Sequence, residues 1–202
     1  MNYPSIAFSE AAKKIQEKAG SRANYARMEK NRPSENLGDN EIEFISDRDS
    51  FYMATVGENG FPYIQFRGGP KGFLKVLDEK RIAFLDFRGN MQYISVGNLA
   101  TNSKVALILL DYPAKARLKI FAEAEIVELK DNPELYKRLA SQDYQARPER
   151  IMILHVKAFD WNCPQHITPR YTLEEIAEAI ESQHQYIAAL EEEIKILKSK
   201  IQ

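Results

Sequence analysis

Apolar and polar residues alternate in short runs through the middle of the chain and recur at helical spacing towards both ends. Seven runs have strand spacing: Phe51 to Gly57, Phe61 to Phe66, Gly72 to Val76, Arg81 to Phe87, Val105 to Asp111, Arg117 to Glu128 and Ile151 to Trp161. Glu58, Asn59 and Gly60 separate the first two, and an Asn-Gly pair between β-rich runs signals a hairpin because both residues accept positive φ. Strand spacing sets in from Glu41. Helical spacing appears over Phe8 to Met28, where Ser9 is a candidate cap, Ala11, Ala12, Ile15 and Ala19 share one side, and Gly20 is a break. It returns over Gln92 to Thr101, with Tyr93, Val96 and Leu99 in phase, and in a short helix that Asn132 and Pro133 start and Leu139 closes. A polar connector, Asn31 to Asn40, carries Pro33 and Gly38. Strands joined by short connections predict a mainly antiparallel sheet that closes into a small barrel; a parallel doubly wound sheet lacks the long helices it needs.

From Leu173 the pattern becomes a heptad. Leu173, Ile176, Ile180, Gln183, Ile187, Leu190, Ile194, Leu197 and Ile201 follow one another at alternating steps of three and four. Isoleucine at a with leucine at d favours a parallel two-stranded coil, and Glu193 at g could meet Lys198 at e of a partner. Thr172 and Glu175 form a capping-box pair, and Pro169 marks the break from the body. The stripe is narrow for a helix folded back on its own domain and suits pairing between chains, although Gln183 at a d position must be accommodated in either case. The division that follows is 1–40 as an N-terminal helix and connector, 41–171 as the barrel, and 172–202 as a coiled-coil helix.

Composition removes several classes. The 202 residues carry 28 basic and 29 acidic side chains, a net charge of minus one, and so lack the overall basic field of a nucleic-acid binder. The single cysteine, Cys163, closes no internal disulfide and forms no metal cluster, which points to a reducing compartment. With no long apolar run and no leader, the expectation is a cytoplasmic protein with no membrane span. The charge is uneven: residues 1–36 hold 7 basic and 4 acidic side chains, residues 172–202 hold 3 and 7.

Candidate chemistry concentrates between Gln65 and Asn98. Arg67 precedes Gly68, Gly69 and Pro70 at a strand end, with Lys71 and Lys75 nearby; Arg88, Gly89 and Asn90 form a second turn, followed by Gln92, Ser95 and Asn98 on the next helix. Two basic turns at neighbouring strand ends, one beside a helix start, fit an anion site; taken singly they are also ordinary solvated loops. No GxxxxGK[ST], GxGxxG or GxSxG occurs. His155, His166 and His184 are scattered, His155 within an apolar strand as a structural histidine, so hard chemistry would come from a cofactor.

The segment from Glu41 to Arg170 resembles the flavin mononucleotide-binding split-barrel family related to pyridoxamine 5'-phosphate oxidase, in its predicted flavin-nucleotide-binding subgroup. The resemblance rests on DSFYMATVGENGFPYIQFRGGPKGFL, RGNMQYISVGNL, DYPAKARLKIFAEAEI and WNCPQHITPR, in that order. It implies a six-stranded antiparallel split barrel with flanking helices that forms a homodimer with flavin at the subunit interface. Arg67 would bind the cofactor phosphate with Lys75 helping, and the Gly69-Pro70 turn would pass along the ring. Arg88, Asn90, Gln92, Ser95 and Asn98 fall in the second phosphate-side motif; Trp161, Gln165 and Arg170 match the motif that reaches the flavin or the substrate mouth from the other subunit. Phe66, Phe73, Leu85 and Trp161 are candidate ring walls. Arg88-Gly89-Asn90 stands where the oxidase has a Ser-Arg-Lys triplet, so pyridoxamine phosphate oxidation itself is not implied. The resulting expectation is an FMN-dependent oxidoreductase on a small molecule, with a nicotinamide as possible electron donor. The alternatives are a flavin or haem binding or sensing module without turnover, and a dimerisation platform for the coiled coil.

Overall fold

The computed structural model describes residues 2–31, 36–141, 144–161 and 164–199. Cys163 and Ile201 lie outside the described residues. The chain divides into two compact units, Met1–Asp111 with Ala116–Pro164, and Tyr112–Lys115 with Gln165–Gln202.

In the first unit four helices lead: α1 (Tyr3–Ala7), α2 (Glu10–Lys18), α3 (Arg22–Asn31) and α4 (Asp39–Ser46). The break expected at Gly20 parts this segment into two helices, and the Gly20 φ of +73° is the left-handed conformation that suits glycine. Ser9 caps α2, its side chain accepting from the Ala12 amide at 3.2 Å. Tyr3 of α1 stacks on Phe121 with ring centres 5.0 Å apart, tying the lead to the sheet. α4 takes in the end of the expected connector and is helical from Glu41 to Ser46, where strand spacing was predicted. Glu41 accepts from the Gly38 amide at 3.0 Å, closing the first turn, and Ile45 is fully buried at helical phase with Ile42.

Seven strands follow: β1 (Ser50–Val56), β2 (Pro62–Gly68), β3 (Lys75–Asp78), β4 (Arg81–Phe87), β5 (Lys104–Asp111), β6 (Ala116–Glu128) and β7 (Pro148–Trp161). Between them lie α5 (Ile94–Thr101) and α6 (Pro133–Leu139), the latter capped by Asn132, which accepts from the Leu135 amide at 3.1 Å. All pairs are antiparallel, in the order β2-β1-β5-β6-β7-β4-β3. The fold is thus a mainly β, antiparallel sheet with flanking helices. The six-stranded barrel is corrected to a seven-stranded sheet: the four-residue β3 adds a strand beside β4, and among the described residues no ladder joins β3 to β2. The carbonyls of Val76 and Leu77 in β3 accept from Arg138 Nη2 at 3.1 and 3.4 Å, so a side chain from α6 meets β3 where a further strand would pair.

The sheet curls around its core. Phe51 on β1 and Phe84 on β4, four strands apart in the ladder order, meet edge to face at 5.3 Å, and Phe73 stacks on Phe51 at 5.7 Å. Met53, Leu109, Leu118, Ile120, Met152 and Leu154 complete this cluster. A second cluster, Ala83, Leu85, Ile151 and Ile153, forms on the opposite face of β4 and β7 under Leu139 of α6. Buried on both faces, β4 from Ile82 to Phe87 reads as a continuous apolar run with Asp86 as its one charged member.

In the second unit, α7 (Leu173–Ser199) is one helix of 27 residues. Its capping box forms as predicted, the Thr172 amide donating to Glu175 at 2.7 Å and the Glu175 amide to Thr172 Oγ1 at 3.2 Å. Its heptad stripe from Leu173 through Leu197 is exposed.

Truncating Phe84 to alanine removes the ring at the centre of the larger cluster and is expected to cost about 3–5 kcal/mol in a urea denaturation curve. The β3–β4 turn supplies a pH-dependent term. The Lys80 amide, then the Arg81 guanidinium, hold the Asp78 carboxyl below its ordinary value. A depressed folded value stabilises above the unfolded carboxylate pKa, and that gain disappears as pH falls below about 4. Asp78→Asn should therefore lower Tm at neutral pH, and the gap from the parent should close on acidification.

Candidate functional site

Asp86 is where three strands meet. Its carboxylate is nearly fully buried, and a buried charge persists only when paired. Arg67 Nη1, from the end of β2, donates to Asp86 Oδ1, and Arg150 Nη1 of β7 donates to Oδ2 at 2.7 Å. The β4–β7 register sets Asp86 directly opposite Arg150. Arg150 Nη2 also donates to Glu149 at 2.8 Å, and the Tyr93 hydroxyl donates to the other Glu149 oxygen at 3.1 Å. Arg88 adds a third guanidinium, its Nε 3.8 Å from Glu149. Three guanidinium groups thus face two carboxylates, leaving one positive charge in surplus. Arg67 Nε is buried with no hydrogen-bond partner among the described residues, a donor that an anion would satisfy.

These groups, Arg88 excepted, wall a cavity of about 60 Å³. Gln65, Arg67, Asp86 and Arg150 line it together with Asn90, Gln92, Tyr93 and Ser95. Ser95 is buried at the start of α5 and donates to Gln65 Oε1 at 2.8 Å, joining α5 to β2. The loop into α5 holds two non-glycine residues in left-handed conformation, Met91 at φ 59° and Tyr93 at φ 53°. Such backbone is held against its preference and concentrates at binding sites. The Gln92 amide donates to Asn90 Oδ1 at 3.2 Å, making an Asx turn of the same loop. The helix begins at Ile94, so Gln92 projects from this loop and not from α5 as expected.

Of the residues singled out from sequence, Arg67, Asn90, Gln92 and Ser95 line the cavity and Arg88 joins through Glu149. Asn98 lies one turn along α5 and donates to Thr55 at 2.9 Å. Gly69 follows the end of β2, where a Cβ would come within 2.6 Å of the Phe73 ring, so only glycine fits that approach; Pro70 accepts from the Phe73 amide at 2.8 Å. Lys75 sits on β3 outside the cavity lining. Trp161, at the end of β7, packs on Phe44 and donates to Glu41 at 2.6 Å. Gln165 and Arg170 belong to the second unit, where the Arg170 guanidinium lies 4.9 Å from the Tyr112 ring centre. Phe73 and Leu85, candidate ring walls, are consumed by the two cores, while Phe66 and Trp161 stay accessible. His155 is on the open face of the sheet, 2.8 Å from Glu125.

Sequence reading missed Asp86, Arg150, Glu149, Tyr93 and Gln65. The signal for Asp86 was its place in the run Ile82 to Phe87, where a lone carboxylate demands a cation; Arg150 becomes its partner only through the register. Among the described residues no cluster of His, Cys, Asp and Glu is arranged to hold a metal, and no helix is long and apolar enough to cross a membrane.

Asp86→Asn leaves Arg67 and Arg150 buried side by side without their shared anion. Loss of about 3–5 kcal/mol is expected in chemical denaturation, and added inorganic phosphate should recover part of it.

The family model described as pyridoxamine 5'-phosphate oxidase matches residues 38–162. Solved structures of similar fold include HupZ of Group A Streptococcus, at 16% identity and a TM-score of 0.47, over 67% of this chain and 100% of that one. An FMN-binding protein from Syntrophomonas wolfei is 16% identical with a TM-score of 0.44, over 72% of this chain and 97% of that one. HutZ, the haem storage protein of Vibrio cholerae, is 18% identical with a TM-score of 0.40, over 62% and 94%. No curated protein matches the chain.

Proposed function

Because the chain belongs to the pyridoxamine 5'-phosphate oxidase family, through residues 38–162, we propose that it binds flavin mononucleotide as a homodimer and uses it for redox chemistry on a small molecule. The observation that carries this reading is the unpartnered Nε of buried Arg67 in the wall of the cavity, with Arg88 adding a third guanidinium beside Glu149. A cavity of about 60 Å³ suits a phosphate group and not a tricyclic ring, for which pockets of about 300 Å³ or more are usual. In this reading Arg67, Arg88, Asn90, Gln92 and Ser95 hold the phosphate. Gly69 and Pro70, which follow Arg67 along the chain, would border the rest of the cofactor. Bound flavin supplies hydride and single-electron transfer. The chain's part is to neutralise the phosphate, fix its position and keep water from the arginines. The exposed apolar side chains Tyr52, Ile64 and Phe66 on β1 and β2 support a second copy covering this face.

A second reading is favoured by one feature of the site. Asp86 and Glu149 are both engaged by arginines, so neither stands ready as a general base. A module that stores or senses flavin or haem needs no base.

Titration with FMN, followed by quenching of flavin fluorescence, is expected to saturate at one flavin per chain. Arg67→Lys keeps the charge and loses the forked donor, and should weaken binding on the order of 10- to 100-fold. Unquenched flavin together with a haem absorption band on adding haem would replace the flavin reading. Nicotinamide oxidation by the loaded protein separates turnover from storage.

A further inference from the structure

The 27-residue α7 leaves its apolar stripe exposed, and nothing in the phosphate site uses it. Heptad phasing puts Leu173, Ile180, Ile187 and Ile194 at a, and Ile176, Gln183, Leu190 and Leu197 at d. Two features of this stripe bear on which occupant covers it and in which direction.

The first is Gln183. In a parallel, in-register pair each d residue faces its own copy, so Gln183 meets Gln183 and two amides complete each other's hydrogen bonds. In an antiparallel pair with full overlap, Leu173 faces Leu197 and Gln183 faces Ile187. The amide would then be buried against a methyl group with no partner, the costly arrangement for a polar side chain.

The second is charge. Parallel pairing sets a g residue against the e residue five positions on in the other helix, so Glu193 meets Lys198 twice by symmetry. The antiparallel register sets Ala179 against Glu193 and His184 against His184, with no acid–base pair among them. Isoleucine at three a positions and leucine at two d positions also favour two parallel strands.

We infer that α7 pairs with α7 of a second copy as a parallel, in-register two-stranded coiled coil, with a Gln183–Gln183 layer as the device that fixes its direction. The two-fold axis of the pair then runs along the helices. No residue of α7 lines the phosphate cavity.

Spin labels on the full-length chain test this, in a Cys163→Ser background so that the label site is unique. Labelled at Thr172→Cys or at Ser199→Cys, a parallel pair gives a short separation, under about 20 Å, at both ends. An antiparallel pair separates each pair of labels by about 40 Å, the length of 27 residues at about 1.5 Å each. Short distances at both ends support the inference. Long distances, or a monomer by light scattering at micromolar concentration, overturn it, the latter leaving another protein's helix as the occupant. Gln183→Leu, expected to keep the coil and release its direction, should show short and long populations together; a single short distance would remove Gln183 from the role. The measurement needs no flavin, so its failure and that of flavin binding are separable.

Discussion

A single buried carboxylate ties together parts of the first unit that the sheet ladders leave apart. In the sheet β2 pairs with β1, and β4 is four strands further along the order, yet Asp86 takes Arg67 from one and Arg150 from β7 beside the other. Without that junction β2 would be held by its ladder to β1 and by the Ser95–Gln65 bond from α5. Ion pairs of this burial add little over apolar packing, but removing one partner leaves an uncompensated charge. What they supply is placement: two guanidinium groups held at one wall of a cavity, one of them with a donor to spare. The group that closes the sheet and the group that would grip a phosphate are thus the same side chain.

That economy explains what the sequence made legible and what it hid. Strand-like runs marked six of the strands closely, whereas the run Gly72 to Val76 overlaps β3 only at Lys75 and Val76, and the Asn59-Gly60 turn set the β1–β2 hairpin as expected. Local capping chemistry at Ser9, Asn132 and Thr172 was readable because each cap is satisfied within three residues. α4 was misread because Ile42 and Phe44 are two apart and mimic a strand, whereas the deciding residues, Glu41 as a cap and Ile45 as a buried anchor, act through the turn and the core. The strand count was overridden by the family pattern of six, and the short β3 restored it to seven.

The site was half legible for the same reason. Arg67, Arg88, Asn90, Gln92 and Ser95 are near one another in sequence and flank turns, so composition revealed them. Asp86 and Arg150 are brought together by register across 64 positions, which no local pattern encodes. The candidate ring walls show the converse error. Phe73 and Leu85 stood close to the basic turns in sequence, but the pleat of β4 turns Leu85 into one core and the turn before β3 puts Phe73 in the other.

The placement of β7 has a consequence for how the chain is made. At 14 residues it is the longest strand, it pairs with both β6 and β4, and it contributes to both apolar clusters. It is also the last strand to leave the ribosome. Until residues 148–161 emerge, β4 has only the short β3 beside it, and both clusters lack Ile151, Met152, Ile153 and Leu154. Until then the facing edges of β4 and β6 stay unpaired, and the two halves of the sheet are joined only when β7 pairs with both.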